Sequence, residues 1–479
     1  MAGNVADYNR VDEFTIDKTI PEATIIYDNN HFLNEYYYDA ARTATIDILE
    51  HNFDPNAIEI MVTADGETAT VPHISAWSSN GDHNIATITF SADAEYTFDI
   101  AGLDLALNEL EDYTPDHFVI DQTAPELEIF DIENQSANNG IVRPGIRYYD
   151  TNYDKDGTVI RMTGYHNGDV KMAGERRLEE SGLELKLNDF EYVQEMDDIY
   201  TMQATVYDLA GNSSEEAMMF SVNRFGSVYT FDEETNALIG DHGRYYTNRE
   251  QELVITETNV DTLEFKEITC NLNGKLTTLK EDQDYTVSLN GNEATWKQYT
   301  YTLKEDNFVE EGTYILTIYS EDRATNTSDN SSKGKKIEFV VDKTNPSVLI
   351  SGVENNGQYR TNSREITLDI EDNIRLSQMV VKIDGRKTVY NAAQIQESDG
   401  KFVMTIGSAD YWQKIEVIVT DAAGNEKSSE EMRVLVSANI FLQYFMNKPI
   451  FYGSLGGFAA IAALLWWFLA GKKNEKKGD

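Results

Sequence analysis

The sequence predicts an all-β chain of tandem β-sandwiches followed by a single transmembrane α-helix. Three observations predict this fold class: a short segment that recurs about every 100 residues, apolar residues that alternate with period two between turn dipeptides, and one long apolar segment near the C-terminus. A chain of 479 residues that is 41% hydrophobic is long and apolar enough for several separate cores.

The recurring segment marks where one sandwich ends and the next begins. It reads Phe-Thr-Ile-Asp-Lys-Thr-Ile-Pro at 14–21, Phe-Val-Ile-Asp-Gln-Thr-Ala-Pro at 118–125 and Phe-Val-Val-Asp-Lys-Thr-Asn-Pro at 339–346, with a degraded copy, Phe-Ser-Val-Asn, at 220–223. Asp17 lies 104 residues before Asp121, which lies 102 residues before Asn223. Since this spacing is the size of one small domain, we divide the chain into a remnant of a preceding repeat (1–13), module one (14–119), module two (120–222), a divergent module three (223–340) and module four (341–437).

Turn dipeptides inside the modules indicate antiparallel hairpins. Asn-Gly and Asp-Gly are favoured in two-residue turns because both central positions need positive φ. No segment before the C-terminal apolar one shows a sustained helical period. The turn pairs are Asp65-Gly66, Asn80-Gly81, Asn167-Gly168, Asn273-Gly274, Asn290-Gly291, Asp384-Gly385 and Asp399-Gly400.

Each module closes with an alternating strand that runs into an aspartate motif. Module two has Asp-Leu-Ala-Gly-Asn at 208–212, module four has Asp-Ala-Ala-Gly-Asn at 421–425, and module three has Asp-Arg-Ala-Thr-Asn at 322–326. In module one the alternation of inward residues selects Asp104 over Asp99 as the motif aspartate. Asp104 and Asp208 then each lie 87 residues after the aspartate that opens their module, which supports the choice.

These motifs resemble those of bacterial immunoglobulin-like repeats. The likeness rests on the D-x-T-x-P segment, the D-x-A-G-N motif and the period, and it covers about residues 1–437. It implies immunoglobulin-like sandwiches strung end to end in surface proteins and adhesins, where they serve as spacers and in some arrays bind calcium at the joints between domains. Leu107 and Thr325 replace the motif glycine, and no Thr-Pro follows Asn223, so the resemblance is weaker for metal binding at modules one and three.

A calcium site is predicted at the end of a module where three loops meet. In a seven-strand sandwich the start of the first strand, the B–C loop and the F–G loop lie at the same end. The B–C segments share the pattern acid-x-Asn-apolar-acid, except that Arg375 takes the place of the last acid in module four. Calcium takes about 6 to 8 oxygen ligands. The competing interpretation is that Asp and Asn serve turns in an acidic protein. The predicted ligands are Asp121, Asp150, Asn152, Asp154 and Asp208 in module two, the strongest case, then Asp17, Glu50, Asn52, Asp54 and Asp104 in module one, and Asp342, Glu371, Asn373 and Asp421 in module four.

The C-terminal part predicts a membrane anchor. Residues 450–470 are apolar except for Tyr452 and Ser454, and 21 residues cross about 30 Å of hydrocarbon as a helix. Four lysines follow within 471–479, so the positive-inside rule predicts a cytoplasmic basic tail and extracellular modules, joined to the helix by a juxtamembrane segment at 438–449. The first residues show no signal peptide, and we therefore expect this chain to be the C-terminal piece of a longer array.

Charge and motif content restrict the function. A net charge of −44 argues against nucleic acid and fits divalent cations. The seven His are widely spaced and no catalytic motif is found, so we predict that the protein is not an enzyme. We expect a stalk or adhesin at the bacterial cell surface that spaces an N-terminal functional region from the membrane. The alternative is a ligand-binding or sensing ectodomain, for a host or neighbouring-cell protein or a glycan, on one module. The oligomeric state is left open.

Overall fold

The computed structural model describes Gly3, residues 10–239 and residues 245–475. It confirms the predicted fold class, since the chain consists of β-sheets in immunoglobulin-like arrangement with one long apolar helix at its C-terminus. Most of the remnant predicted at 1–13 and the last four residues of the predicted tail lie outside the described residues.

Module one is a sandwich of two sheets, ordered β1-β3-β7-β6 and β2-β9-β8-β4-β5. Alternate residues of β3 and β8 point into one core that includes Ile46, Phe90, Phe98 and Phe118. The strands are β1 (Glu22–Tyr27), β2 (Tyr37–Tyr38), β3 (Arg42–Leu49), β4 (Ile58–Ala64), β5 (Glu67–Thr68), β6 (Ser78–Asn80), β7 (His83–Phe90), β8 (Ala94–Gly102) and β9 (Asp116–Ile120).

Module two repeats this plan with sheets β10-β12-β16-β15 and β11-β18-β17-β13-β14. Its core includes Tyr148, Tyr200 and Phe220. The strands are β10 (Glu126–Phe130), β11 (Ala137–Asn138), β12 (Gly145–Tyr149), β13 (Tyr153–Gly164), β14 (Gly168–Val170), β15 (Gly174–Glu179), β16 (Gly182–Leu187), β17 (Asp198–Asp208) and β18 (Ser213–Val222), with a 3₁₀ turn at Gln194–Met196.

Module three has sheets β19-β21-β25-β24 and β20-β28-β26-β22-β23, with β27 paired to β26. Tyr301, Tyr314 and Phe339 lie in its core. The elements are β19 (Val228–Phe231), α1 (Glu233–Ile239), β20 (Tyr245–Thr247), β21 (Leu253–Asn259), β22 (Leu263–Leu272), β23 (Lys275–Thr278), β24 (Tyr285–Asn290), β25 (Lys297–Leu303), a 3₁₀ turn at Glu305–Phe308, β26 (Gly312–Asp322), β27 (Thr327–Asp329) and β28 (Ile337–Val341).

Module four has sheets β29-β31-β34 and β30-β37-β35-β32-β33, with β36 paired to β35. Ile366, Leu368 and Val417 lie in its core. The elements are β29 (Ser347–Ser351), β30 (Gly357–Tyr359), β31 (Ser363–Glu371), β32 (Leu376–Ile383), β33 (Arg386–Asn391), α2 (Ala392–Glu397), β34 (Lys401–Gly407), β35 (Gln413–Asp421), β36 (Glu426–Ser428) and β37 (Met432–Val436).

Two helices follow module four. They are α3 (Ile440–Met446) and α4 (Lys448–Glu475). Within α4, Lys448–Ala470 is long and apolar enough to cross a membrane, and it is the one such helix among the described residues. Helices α1 and α2 were not predicted, because seven and six residues are too few to show a helical period.

The same strand pairing joins the start of every module to its end. The second strand of each module pairs in parallel with the last one, as in β2 with β9 and β30 with β37. The residue after the last strand then donates its backbone N–H to the second strand, for example Asp121 to Tyr38 O at 2.9 Å and Asp342 to Thr247 O at 2.9 Å. The chain therefore leaves each sandwich at a fixed place.

Three predicted turn dipeptides occupy equivalent hairpins. Asp65-Gly66, Asn273-Gly274 and Asp384-Gly385 have positive φ at both residues and join β4 to β5, β22 to β23 and β32 to β33. Asp399-Gly400 differs, because it ends α2 instead of joining two strands.

By contacts, the chain forms two compact units. The first contains the chain up to Gly226 together with Gly291–Trp296 and Arg323–Asn326, and the second contains Ser227–Asn290, Lys297–Asp322 and the chain from Thr327 onward. Modules one and two thus belong to the first unit and module four to the second, while two loops of module three group with the first unit.

Candidate metal centres

The last motif of module two is folded around Asp208. Its Oδ1 accepts hydrogen bonds from the backbone N–H groups of Gly211 at 2.6 Å and Asn212 at 2.8 Å. The Asn212 side-chain amide donates to Asp208 Oδ2 and to the carbonyl oxygen of Asp121, both at 2.8 Å. The motif asparagine therefore fastens the F–G turn to the residue where the chain enters module two.

The B–C loop of module two reaches the same place. Asp150 follows β12, and its Oδ1 accepts the Asn152 N–H at 2.6 Å. The Asn152 side-chain amide donates to Asp121 Oδ2 at 2.8 Å, and the backbone carbonyl oxygen of Asn152 accepts the Leu209 N–H at 2.7 Å. The structure thus brings together four of the five residues predicted for module two.

Three carboxylates gather at this end in each of three modules. In each group the three side chains offer one oxygen each, and these atoms all lie within 4.8 Å of one another. We name them the first cluster (Asp17, Glu50, Asp104), the second cluster (Asp121, Asp150, Asp208) and the third cluster (Asp342, Asp372, Asp421).

Burial and mutual repulsion act on the second and third clusters. Burial, with the nearby carboxylates of Asp121 and Asp208, raises the pKa of Asp150 to about 6. Burial, with Asp372 and Asp421, raises the pKa of Asp342 to about 6. Like charges held out of water raise one another's pKa, and a bound cation relieves this cost.

Hydrogen bonds shift the pKa of the opening aspartate of the first cluster in the opposite direction. The Asn52 amide donates to Asp17 Oδ2 at 2.6 Å, and this hydrogen bond, with that from the Thr19 N–H, lowers the pKa of Asp17 below its ordinary value. The Glu50 carboxylate accepts the Asn52 N–H at 2.6 Å and is buried. Asp17 therefore stays ionised more readily than Asp150 or Asp342.

The third cluster differs from the predicted set at two residues, Glu371 and Asn373. It contains Asp372 in place of Glu371, because β31 continues through Glu371 and leaves that side chain exposed. Asp372 begins the loop, and its Oδ2 accepts the N–H groups of Ile374 at 2.9 Å and Arg375 at 2.7 Å. Asn373 donates to Glu311 Oε2 at 3.2 Å, whereas Asn52 and Asn152 donate to the aspartate that opens their modules. A shift of one position at a strand end turns the next side chain to the other face.

Asp54 and Asp154 were predicted as ligands, and the clusters do not include them. Asp54 Oδ1 accepts the Asn56 N–H at 3.0 Å, and Asp154 Oδ1 accepts the Asp156 N–H at 2.9 Å. Each aspartate thus stabilises a short turn with its side chain. This agrees with the competing interpretation of the sequence, in which Asp and Asn serve turns.

Several cluster oxygens are buried without a partner among the described residues. They are Glu50 Oε2 in the first cluster and Asp342 Oδ2 and Asp372 Oδ1 in the third. Glu50 is 3% exposed and Asp342 is 0% exposed. A buried carboxylate oxygen with no donor carries a desolvation cost, which a cation coordinated there offsets. Carboxylate oxygens are the hard ligands that calcium and magnesium prefer, so the residues fit a divalent cation.

The corresponding end of module three is built differently. The Asn259 amide donates to Asp322 Oδ2 at 3.1 Å, and β25 places Lys297 opposite Asn259. Lys297 is 6% exposed, and its ammonium donates to Val260 O at 3.2 Å, next to the buried Asp261. Among the described residues no acidic cluster forms at this end. A lysine ammonium therefore lies where the other modules gather carboxylates alone.

Three acids that the sequence analysis missed hold the segments between modules. Each stands directly before the strand that runs into the aspartate motif of its module, and each accepts a backbone N–H from the segment that follows the last strand. Asp93 Oδ1 accepts from Gln122 at 3.0 Å, and Glu311 Oε1 accepts from Lys343 at 2.7 Å. Asp197 accepts from Arg224 through both carboxylate oxygens, at 3.0 and 2.9 Å. The signal is an acid at one fixed place in each repeat, visible once the modules are aligned.

Solved structures similar to this chain are tandem-domain proteins. The tetra-tandem repeat in the extending region of a large adhesion protein matches at 17% identity, over 88% of this chain and 100% of that one, with a TM-score of 0.35. The D1–D4 ectodomain fragment of ICAM-5 matches at 10% identity over 87% and 100%, with a TM-score of 0.28. Extracellular cadherin domains 3–6 of protocadherin gamma B2 match at 10% identity over 79% and 95%, with a TM-score of 0.26.

Neither a protein-family model nor a curated protein sequence matches the chain. Because the structural scores are low, the assignment of the fold rests on the strand order and pairing described above.

Proposed function

We propose that this chain is a membrane-anchored extracellular stalk of adhesin type on a bacterial surface, built from four immunoglobulin-like modules at 14–119, 120–222, 223–340 and 341–437. The apolar helix at Lys448–Ala470 supports the anchor, and the basic residues after it support a cytoplasmic C-terminus. The repeated sandwiches support a spacing role, since each adds the same structural unit.

We further propose that calcium binds the first, second and third clusters. One observation carries this proposal: equivalent ends of three modules gather three carboxylates, and oxygens of two of these clusters are buried without a partner among the described residues. The ligands would be Asp17, Glu50 and Asp104, then Asp121, Asp150 and Asp208, then Asp342, Asp372 and Asp421. Calcium supplies charge neutralisation at these places.

The residues of a cluster come from different parts of the chain, which gives the cation a mechanical role. In the second cluster Asp121 lies where the chain leaves module one, while Asp150 lies on a loop of module two and Asp208 ends β17. A cation held by all three fixes the connecting segment to the module that follows it. Asn152 and Asn212 already bond to Asp121, so the cation adds to a contact that the protein has formed by itself.

The number of calcium ions bound by the full chain tests the proposal. In detergent micelles, equilibrium dialysis is expected to give three ions per chain, because three clusters and not four are present among the described residues. Replacing Asp121, Asp150 and Asp208 together by Asn should lower the number to two, and Asp154→Asn should leave it at three. Binding that is absent, or equally lost in the Asp154 variant, contradicts calcium at these clusters.

Protease digestion of intact cells tests the anchor. Protease added outside should remove the modules and leave a membrane fragment that contains α4. Modules that stay protected until the cells are opened would contradict the extracellular orientation.

A further inference from the structure

The end of module four that faces α3 carries exposed cations and aromatic rings. We call this end the lower pole and define it by Arg360, Arg386, Lys387, Tyr411 and Trp412. Arg360 follows β30, Arg386 and Lys387 begin β33, and the two aromatics directly precede β35. The three cations are exposed, Tyr411 is 55% exposed and Trp412 is half-buried.

Strand pairing places these residues at one end of the sandwich. Tyr359 and Val436 pair at the ends of β30 and β37, and the Ser437 N–H donates to Tyr359 O at 3.0 Å. The Asp384 N–H donates to Lys414 O at 3.0 Å, which joins the β32–β33 hairpin to the start of β35. The hairpin, the aromatics and the exit of the chain therefore share the lower pole.

Among the described residues the acids at the lower pole accept hydrogen bonds or form an ion pair, whereas its three cations form no ion pair. Asp384 Oδ1 accepts the Lys414 N–H at 2.9 Å, and Asp410 Oδ1 accepts the Ser437 hydroxyl at 2.9 Å. Glu431 pairs with the Lys414 ammonium at 3.0 Å. Within the part of the chain that the structure describes, the cations Arg360, Arg386 and Lys387 form no ion pair. Their charge is therefore available to a partner outside the chain.

A short connection holds the lower pole close to the membrane. Three residues separate the end of β37 at Val436 from α3, and three extended residues reach on the order of 10 Å. Helix α3 is apolar, with Ile440 57% exposed, Phe441 76% and Phe445 57%. The Phe445 ring lies 5.3 Å from that of Phe451 in α4. An exposed apolar helix beside a spanning segment lies in the headgroup region, so the lower pole stands next to that region.

The other modules lack this combination of two hairpin cations and two aromatics, although module three has one hairpin cation, Lys275. The hairpin that ends in Arg386-Lys387 in module four has Glu67 in module one and Asp169 in module two. An acid stands 11 residues before the motif aspartate in every module, and in module four this acid is Asp410. Only in module four are the two residues after the acid aromatic, as Tyr411-Trp412. The two aromatics and the paired hairpin cations thus distinguish the lower pole from the same end of the other modules.

The net charge is also less negative in module four than in module one. Module one contains 2 Lys and Arg against 20 Asp and Glu, whereas module four contains 11 against 15. An acidic module is repelled by anionic lipid, and the module beside the membrane is the one in which basic residues nearly balance the acids.

We propose that the lower pole docks on anionic phospholipid headgroups, with Arg360, Arg386 and Lys387 facing lipid phosphates and Tyr411 and Trp412 in the interface. This inference rests on the membrane anchoring proposed above. Docking holds module four against the membrane, so that the tether at 437–439 does not act as a free hinge.

Fluorescence quenching in lipid nanodiscs tests the docking. The full chain carries a fluorophore at Ser408→Cys, an exposed position near Tyr411, and the buried Cys270 is left in place. Discs of phosphatidylcholine alone are compared with discs that also contain phosphatidylserine, each with a headgroup nitroxide quencher. Quenching is expected in the anionic discs, and the docked population should fall about fivefold for each cation removed.

The charge-reversal variant Arg386→Glu/Lys387→Glu should lose the quenching. Lys275→Glu, at the equivalent hairpin of module three, is the matched control and should keep it. Equal quenching in both lipids, equal quenching in the reversal variant, or no quenching at all overturns the docking. A chain that does not enter the discs shows instead that the anchor has failed, so the two failures are distinguishable.

Discussion

Replacing Asp150 by Asn should change the stability of module two in opposite directions with and without calcium. Asn keeps an oxygen that can accept the Asn152 N–H, so the loop retains its 2.6 Å hydrogen bond. The substitution removes one negative charge from the second cluster, whose oxygens lie within 4.8 Å of one another. The variant therefore removes the charge of Asp150 but keeps the hydrogen bond that this side chain makes within the loop.

The size of the effect follows from the spacing of the charges. Two unit charges about 4.8 Å apart repel by about 1 kcal/mol in water and about 3 kcal/mol at an effective dielectric constant of 20. Because Asp150 is partly exposed, its repulsion energy lies toward the lower of these two values. We therefore expect Asp150→Asn to stabilise the calcium-free protein by about 1–2 kcal/mol. A site with a dissociation constant of about 10⁻⁴ M gains about 2.7 kcal/mol at a hundredfold excess of calcium. The variant should lose most of this gain.

Hydrogen exchange on the full chain measures the effect within module two. Peptides that cover β12 and residues 208–213 should exchange more slowly in the variant than in the natural chain in chelator, and faster in calcium. Asp154→Asn is the control, because Asn can accept the Asp156 N–H in the same turn and Asp154 lies outside the cluster. The reasoning is refuted if the order of the two proteins is the same in both conditions, or if the control reproduces the reversal.

Three further predictions concern other parts of the chain. Lys297→Met should destabilise module three by about 3–5 kcal/mol in guanidinium unfolding, because it removes a buried charge beside buried aspartates, and a loss below about 1 kcal/mol would contradict this role. Asp197→Ala removes the acceptor of the Arg224 N–H, so the exchange of that amide should accelerate by about tenfold to a hundredfold, unlike amides in β12. Burial raises the pKa of Cys270 to about 11, so iodoacetamide at pH 8 should label it only as the protein unfolds, and labelling of the native protein at the rate of a free thiol would refute this.

Much of the second cluster could be predicted from the sequence because its residues stand in local motifs. Asp208 begins a five-residue turn whose hydrogen bonds are short-range, and Asp121 follows a strand that recurs at a fixed period. Such features depend on neighbours in sequence and are therefore readable without the fold.

Local motifs did not predict which of the two acids Glu371 and Asp372 joins the third cluster. The pattern acid-x-Asn selects Glu371 and leaves Asp372 at its variable position, and only the pairing of Ser347 with Glu371 shows that β31 includes Glu371. Asp54 and Asp154 fit the pattern equally well, yet each closes a turn of its own.

The sequence by itself determined the all-β class, the repeat, the apolar helix and the aspartates at the joints, since these follow from periodicity and turn chemistry. Only the tertiary structure decided that Asp372 joins the third cluster, that Lys297 is buried near Asp322, and that Asp93 holds the segment after module one. The physical reason is that these roles depend on strand ends and cross-strand register. At strand ends, residues that are tens of positions apart in sequence come into contact, and no local sequence pattern specifies these contacts.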